Sequence, residues 1–305
     1  MKLSPMSDPD PILVATNLDD TQRLLAHAVV QARASGARIL LAHVIPHVLS
    51  EKQTDPAELR IAGPGLCDKA QDALEFAALQ LQWQGILCDP FLLSGDTAEQ
   101  IAALARAKRA GRILVGACRD RGRSLAPRLM ASVEIPVFVL GPQATPFPSG
   151  DAHEGRILLP LSLRHERPAY LRLAVRLARE TGARIALLHV IEAEGLTEAE
   201  RQREQMRTRM QLAALAATEK GLRYPIEIVV REGNVPRAIV EEAMCPHRDY
   251  ILLGGGSLRA EDGKQGIVQQ VIERARCPVI TVKPGVGRVI GQELSESRTG
   301  TLNQR

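Results

Sequence analysis

The sequence predicts two tandem α/β domains, each built on a parallel β-sheet. Short apolar runs alternate with amphipathic helical stretches, glycines end helices or follow strands, and the first half of the 305-residue chain recurs in the second. A strand, a crossover helix and a second strand form a right-handed parallel unit in nearly all known proteins. The alternation therefore indicates parallel sheets covered by helices.

The first half contains five apolar runs that we interpret as strands. Ile12–Leu18 is the first strand, and the apolar residues after it recur at helical spacing. The predicted elements that follow are a strand at 37–45, a helix around 70–81, a strand at 86–93, a strand at 112–116, a short helix at 126–133 and a strand at 136–140. Asp96, with Glu99 three residues later, has the spacing of a helix N-cap in a capping box.

The second half repeats this pattern about 145 residues later. Ile157–Leu163 corresponds to Ile12–Leu18, and Gly-Ala-Arg-Ile followed by His-Val occurs at 36–44 and again at 182–190. Thr197 and Glu200 have capping-box spacing before a charged helix. We assign Met206 and Met210 to the core-facing side of that helix. Asn234 replaces Asp96 as the predicted N-cap.

The predicted domains are residues 10–141 and 155–284. They are joined by a Pro- and Gly-rich linker at 142–154, and residues 285–305 form a polar, patternless tail that we expect to be disordered.

Composition limits the classes of partner. The net charge is only +4, its charges are scattered, and aromatic residues make up 3% of the chain, so we expect neither nucleic-acid nor membrane binding. The five cysteines are odd in number and contain no Cys-x-x-Cys pair, which is typical of reduced thiols rather than disulfides or zinc ligands. We expect five free thiols. The N-terminus lacks the apolar core of a signal peptide, which favours a cytoplasmic protein.

A glycine-rich segment is the strongest candidate for a binding site. Gly254, Gly255, Gly256 and Ser257 follow a strand-like run, and Gly266 precedes the helical stretch that begins at Ile267. Glycine turns and helix N-termini present N–H groups that can hold a phosphate. The alternative is a flexible strand exit without a ligand.

Three other features have a functional and a plain interpretation. The run 119–123 contains three arginines that could contact a phosphate, but we favour a solvated turn. His43 and His189 recur at equivalent strand ends; a metal pair or a catalytic base is the alternative, but we favour a structural role because no carboxylate or cysteine stands at ligand spacing. Cys118 is interpreted as an ordinary thiol rather than a redox centre.

The order of elements and motifs in both halves resembles the universal stress protein family in its tandem form. The motifs are Gly-Ala-Arg-Ile…His-Val, Gly-Asp-x-x-Glu-x-Ile and Cys-Pro-Val-Ile-x-Val. The resemblance implies doubly wound domains with five-stranded parallel sheets of order 3-2-1-4-5. It also implies that two such domains pair about an approximate two-fold axis.

In family members that bind ATP, the resemblance implies a loop Gly-x-x-Gly, nine residues, then Gly-Ser or Gly-Thr. An aspartate at the end of the first strand holds the ribose, and backbone near a valine of the second strand holds the adenine. Here the second domain offers Ser162, Val190, Gly254, Gly255, Gly256, Ser257, Gly266 and Ile267. The first domain offers Asn17, Val44 and Gly116, without a second glycine pair. Both domains lack the aspartate, and the second lacks the hydroxyl after Gly266.

We therefore predict a non-catalytic signalling or stress-response module that binds ATP or another adenine nucleotide in its second domain. The alternative is a nucleotide-independent scaffold. An enzyme ranks third, because no adenylation or pyrophosphatase signature is present. We expect the two domains to pair through their fifth strands, Val137–Leu140 and Val279–Val282, since pairing covers apolar edge strands. A homodimer is a further expectation.

Overall fold

The computed structural model describes residues 9–45, 64–117, 119–120, 123–145, 155–163, 168–244, 249–254 and 266–283. The predicted tail at 285–305 and residues 146–154 of the predicted linker lie outside these ranges. The chain divides into two compact units between Phe138 and Val139, inside the last strand of the first half.

The first half is an α/β domain whose large sheet has the order β3-β2-β1-β4-β7. Its strands are β1 Ile12–Thr16, β2 Ile39–Ile45, β3 Cys88–Ser94, β4 Arg112–Gly116 and β7 Val137–Leu140. Its helices are α1 Thr21–Ser35, α2 Pro64–Trp83, α3 Thr97–Ala107 and α4 Leu125–Ser132. The pairs β1–β2, β1–β4 and β2–β3 are parallel.

The second half has the same architecture, with the sheet order β10-β9-β8-β11-β12. Its strands are β8 Arg156–Pro160, β9 Arg184–Ile191, β10 Glu227–Glu232, β11 Asp249–Gly254 and β12 Val279–Val282. Its helices are α5 Pro168–Thr181, α6 Glu198–Ala217, α7 Val235–Ala243 and α8 Ile267–Arg274. The four strand pairs β8–β9, β9–β10, β8–β11 and β11–β12 are parallel. The predicted fold class and strand order are confirmed.

The central strands of the first half are buried along their whole length and mostly apolar, because helices cover both faces of a parallel sheet. All five residues of β1 and all five of β4 are buried. On α2 the predicted core face is confirmed, since Ala70, Leu74, Ala77, Ala78 and Leu81 are all buried. A continuous apolar layer therefore fixes the strand ends where candidate site residues lie.

Two local predictions need correction. The basic run 119–123 contains a small antiparallel hairpin, β5 Arg119–Asp120 with β6 Arg123–Ser124, instead of a plain turn. Met206 and Met210 are 63% and 67% exposed, so they do not face the core. The buried residues of α6 are Thr208 and Leu212, which places the methionine stripe on the outer side of this helix.

The predicted helix caps are present. The side chains of Asp96, Thr197 and Asn234 each accept a hydrogen bond from the N–H three residues later, and Thr197 with Glu200 forms a full capping box. Before two of these helices, Gly95 and Gly233 have φ angles of 134° and 112°. Such angles favour glycine, which explains why the Gly-Asp and Gly-Asn pairs precede these helices.

Asp96 also links α3 to α4, because Arg128 contacts its carboxylate at 2.5 Å. This hydrogen bond, together with those from backbone N–H groups, holds the pKa of Asp96 below its usual value. A carboxyl whose pKa is lowered by folding stabilises the protein above its unfolded-state pKa, and that stability disappears as the pH falls through the folded-state pKa.

We expect Asp96→Asn to lower the free energy of unfolding by about 0.5–1 kcal/mol at neutral pH, since Asn keeps the cap but loses the charge. The difference from wild type should shrink as the pH falls below about 4. Urea unfolding at a series of pH values measures it. Asn234→Ala is the control: it removes a cap contact that carries no charge, so its cost should not change with pH. A pH-independent Asp96→Asn deficit would contradict the assignment.

In the second half, a buried ion pair lies at the amino-terminal end of strand β8. Arg156 Nη1 lies 3.2 Å from Glu242 Oε1, and its Nη2 donates to the Glu242 carbonyl oxygen at 2.8 Å. Their side chains are 8% and 3% exposed. Arg231, which is 55% exposed, contacts the other carboxylate oxygen at 2.6 Å. Glu242 is thus held between a buried and a half-exposed guanidinium.

Candidate functional site

The candidate residues lie at the carboxyl ends of adjacent strands in each half. Asn17 follows β1, Val44 is near the end of β2 and Gly116 ends β4, while β1 lies between β2 and β4. Ser162, Val190 and Gly254 hold the equivalent positions on β8, β9 and β11. In open parallel sheets this edge is where ligands bind. The structure therefore brings the sequence-predicted residues of each half to one sheet edge.

The repeated histidines hold neighbouring strand ends together. His43 Nδ1 lies 2.9 Å from the carbonyl oxygen of Thr16, and His189 Nδ1 lies 2.8 Å from that of Leu161. A carbonyl only accepts hydrogen bonds, so Nδ1 is the protonated nitrogen in both rings. Both contacts are those that the predicted structural role requires.

In the first half, the turn after β1 is closed by its own side chains. Asp20 Oδ1 accepts from the Thr16 hydroxyl at 2.9 Å and from the Asn17 N–H at 3.2 Å. Asn17 Oδ1 in turn accepts from the Asp20 N–H at 3.0 Å. The amide oxygen predicted to replace the ribose-binding aspartate is therefore already used within the turn.

The second carboxylate oxygen of Asp20 lies against Gly116. A Cβ atom on Gly116 would overlap Asp20 Oδ2, and Arg23 Nη2 would lie 3.7 Å from it. The glycine at the end of β4 is thus explained by a packed carboxylate. The Asp20 carboxylate thus occupies the place where the resemblance predicts the start of a phosphate loop, and it offsets the positive charge of Arg23 beside it.

In the second half, the equivalent glycine contacts an aromatic ring. A Cβ atom on Gly254 would lie 2.5 Å from Cε2 and Cζ of Tyr170 and 2.7 Å from its hydroxyl oxygen. Tyr170 belongs to the first turn of α5 and is half-buried. Ser162 is exposed, and Val190 is half-buried. This strand exit is therefore lined by a neutral phenol that can donate a hydrogen bond.

Gly255, Gly256 and Ser257 lie outside the described residues. Gly266 is the N-cap of α8, with φ −62° and ψ 155°, and as a glycine it has no side chain to cap the helix. Its carbonyl oxygen accepts from the Gln270 N–H at 3.1 Å, which closes the first turn, and Ile267 is the first helical residue. The helix start predicted from the sequence is confirmed.

The described cysteines are free thiols. Cys67, Cys88 and Cys277 are present as thiols and not in disulfides. Burial raises the pKa of the Cys88 thiol to about 12, which makes it inert at neutral pH. Cys118 and Cys245 lie outside the described part of the chain. Within that part, no three His, Cys, Asp or Glu side chains cluster as metal ligands, and no helix is long and apolar enough to cross a membrane.

A sequence model of the universal stress protein family matches residues 9–140 and 155–283, which together make up most of the chain. The chain belongs to the universal stress protein family. It carries two universal stress protein domains in tandem, and the two matched segments correspond to the two sheets. No curated protein matches the sequence significantly.

Solved structures agree with this fold. A universal stress protein from Archaeoglobus fulgidus DSM 4304 covers 91% of this chain and 97% of its own, with 16% identity and a TM-score of 0.61. A functionally unknown protein from Pseudomonas aeruginosa PAO1 covers 95% of this chain and 98% of its own, with 17% identity and a TM-score of 0.56. Identities this low show that the fold is shared and nothing more.

A universal stress protein from Archaeoglobus fulgidus in complex with dAMP matches 43% of this chain and 96% of its own, at 22% identity and a TM-score of 0.32. A TM-score this low supports no conclusion about nucleotide binding by this chain.

Two residues at the sheet edges were not found by sequence reasoning. Asp20 lies three residues after Asn17, so its proximity in sequence was a usable signal. Tyr170 was harder to find because it belongs to an amphipathic helix, and it is far from Gly254 in the sequence and contacts it only in the folded protein. Its one signal is that tyrosine is rare here, with three in the chain.

Proposed function

We propose that this protein is a non-catalytic stress-response or signalling module that binds an adenine nucleotide in its second domain. The site consists of the carboxyl ends of β8, β9 and β11, the segment 255–257, and the start of α8. The phosphates lie near Gly254 and the N-terminus of α8, and the nucleoside lies near Ser162 and Val190.

One observation supports the second domain over the first. Equivalent glycines at the two sheet edges have different neighbours: the Asp20 carboxylate at Gly116 and the Tyr170 phenol at Gly254. The Asp20 carboxylate fills the space at Gly116 and offsets the charge of the nearby Arg23 guanidinium, while the phenol at Gly254 is neutral and does not oppose an anion. The start of α8, where the N-cap Gly266 has no side chain, adds a favourable dipole for an anion.

Binding should be weak. Ser162 replaces the ribose-binding aspartate that the family resemblance implies, and Ile267 replaces the hydroxyl residue after Gly266. Each missing hydrogen bond of good geometry costs about 1–3 kcal/mol, so we expect a Kd of about 1 μM or weaker.

Calorimetric titration with ATP, ADP and AMP tests the proposal. We expect one binding site per chain, lost in Gly256→Val because a β-branched side chain obstructs the backbone N–H groups of the loop.

Asp20→Asn in the first domain is the matched control and should leave the measured affinity unchanged. If Asp20→Asn strengthens binding while Gly256→Val leaves it intact, the site lies in the first domain and the assignment is wrong. If wild type binds none of the three nucleotides, the scaffold function replaces the nucleotide-binding one. One observation favours the scaffold function. Tyr170 packs so closely on Gly254 that packing alone explains why a glycine is required there, without a bound nucleotide.

The non-catalytic part of the proposal has its own measurement. ATP incubated with the purified protein should show no protein-dependent hydrolysis or transfer. A cytoplasmic location and pairing of the two domains within the chain stay predictions of the sequence.

A further inference from the structure

Helix α2 exposes a stripe of large apolar side chains. Phe76, Leu79 and Trp83 are 59%, 50% and 84% exposed, and their spacing places them on one side of the helix. Trp83 is the only tryptophan of the chain. Aromatic side chains grouped on a solvent-facing helix are characteristic of protein interaction sites. We call Phe76, Leu79 and Trp83 the α2 stripe.

Helix α6, the equivalent helix of the second half, exposes a different apolar stripe. Met206 and Met210 lie one turn apart on its outer side, and the exposed residues Ala213 and Ala217 continue the same side. Methionine is flexible, and its sulfur makes favourable contacts with aromatic rings. We call these four residues the α6 stripe, and its chemistry complements that of the α2 stripe.

The charges beside the two stripes have opposite sign. Around the α2 stripe the exposed acidic residues are Asp68, Asp72 and Glu75, with Lys69 as the one base of this helix. Around the α6 stripe the exposed basic residues are Arg203, Arg207 and Arg209, with Glu204 near Arg207 at 3.9 Å. The other acidic residues of this helix, Glu198 and Glu200, lie in its first turn, before the stripe begins. Pairing α2 with α2 sets acid against acid, and pairing α6 with α6 sets base against base.

We propose that the α2 stripe of one copy of this protein packs against the α6 stripe of a second copy. The aromatic rings of the first lie on the methionines of the second, and the acidic and basic edges face each other. Because the two surfaces differ, one such contact between two copies leaves the α6 stripe of the first copy and the α2 stripe of the second copy exposed. Association then closes into a dimer when both contacts form together, or continues into longer assemblies.

Sedimentation velocity over a range of concentrations, with Trp83 fluorescence on the same samples, tests the proposal. Wild type should form species of two or more copies, and its emission should shift to shorter wavelength as Trp83 becomes buried. Trp83→Ser and the double variant Met206→Ser/Met210→Ser should each raise the Kd by at least about 30-fold. Met244→Ser is the control: Met244 is 51% exposed but belongs to neither stripe, so association should be unchanged.

Charge exchange gives a second test. Asp72→Arg/Glu75→Arg should weaken self-association, and so should Arg203→Glu/Arg207→Glu, while mixing the two variant proteins should restore association between them. Circular dichroism confirms that each variant is folded.

Three results would overturn the proposal. The first is a wild-type protein that stays monomeric with exposed tryptophan emission at every concentration. The second is short-wavelength emission already present in the dilute monomer, which would mean that the same chain covers the α2 stripe. The third is association that survives in both stripe variants.

Discussion

Arg156→Met should lower the free energy of unfolding by about 3–5 kcal/mol, because it leaves the buried Glu242 carboxylate without its buried partner. The half-exposed Arg231 remains near the other oxygen, but its charge is screened by water. Urea unfolding followed by far-UV circular dichroism measures the decrease in the free energy of unfolding. The decrease should be seen in the unfolding of the second half.

The double variant Arg156→Met/Glu242→Leu should recover most of this loss, since replacing both members of a buried pair by apolar residues is often neutral. Arg38→Met is the matched control. It breaks the pair with Asp89 at 3.0 Å, but these side chains are 47% and 46% exposed, so the cost should be below about 1 kcal/mol. Equal losses in Arg38→Met and Arg156→Met would show that burial does not determine the effect.

Gly254→Ala should lower the free energy of unfolding by about 1–3 kcal/mol, because the new methyl group collides with the Tyr170 ring. Its carbon would lie 2.5 Å from two ring carbons, whereas contacting carbons normally stay about 3.5–4.0 Å apart. The backbone at Gly254 does not have a left-handed φ, so the cost comes from the ring alone. Thermal and urea unfolding of the single variant measure it.

The double variant Gly254→Ala/Tyr170→Leu should be less destabilised than the two single losses added together, since leucine removes the colliding part of the ring. Gly65→Ala provides the control. Gly65 lies on α2 with no atom within 4 Å of a new Cβ, so the same substitution should be neutral or stabilising by up to about 1 kcal/mol. Additive losses in the Gly254 double variant would mean that the ring is not the cause.

The fold was predictable because its signals are local. Apolar runs, helix periodicity and the caps at Asp96, Thr197 and Asn234 each depend on residues close together in sequence. The duplication then added independent support, since the same order appeared twice. The candidate strand ends followed from the strand order that the family resemblance implies.

The outer surfaces of α2 and α6 were not predictable in this way. Periodicity finds an apolar stripe on a helix, but it does not say which stripe faces the sheet when a helix carries two. On α6 the methionines formed the more obvious stripe, yet Leu212 and Thr208 face inward. The contacts of Gly116 with Asp20 and of Gly254 with Tyr170 depend on how helix starts approach strand ends, and no local pattern encodes that distance.

The histidine bonds at Thr16 and Leu161 bear on how the two halves diverged. When a domain is duplicated within a chain, the two halves start with identical sequences, so every contact is present in both. The histidine bond and the hydrogen bonds from Gly95 to Ile45 and from Gly233 to Ile191 are still present in both halves, so they predate the duplication. The contacts of Asp20 with Gly116 and of Tyr170 with Gly254 differ between the halves, so the two sheet edges changed independently after the duplication.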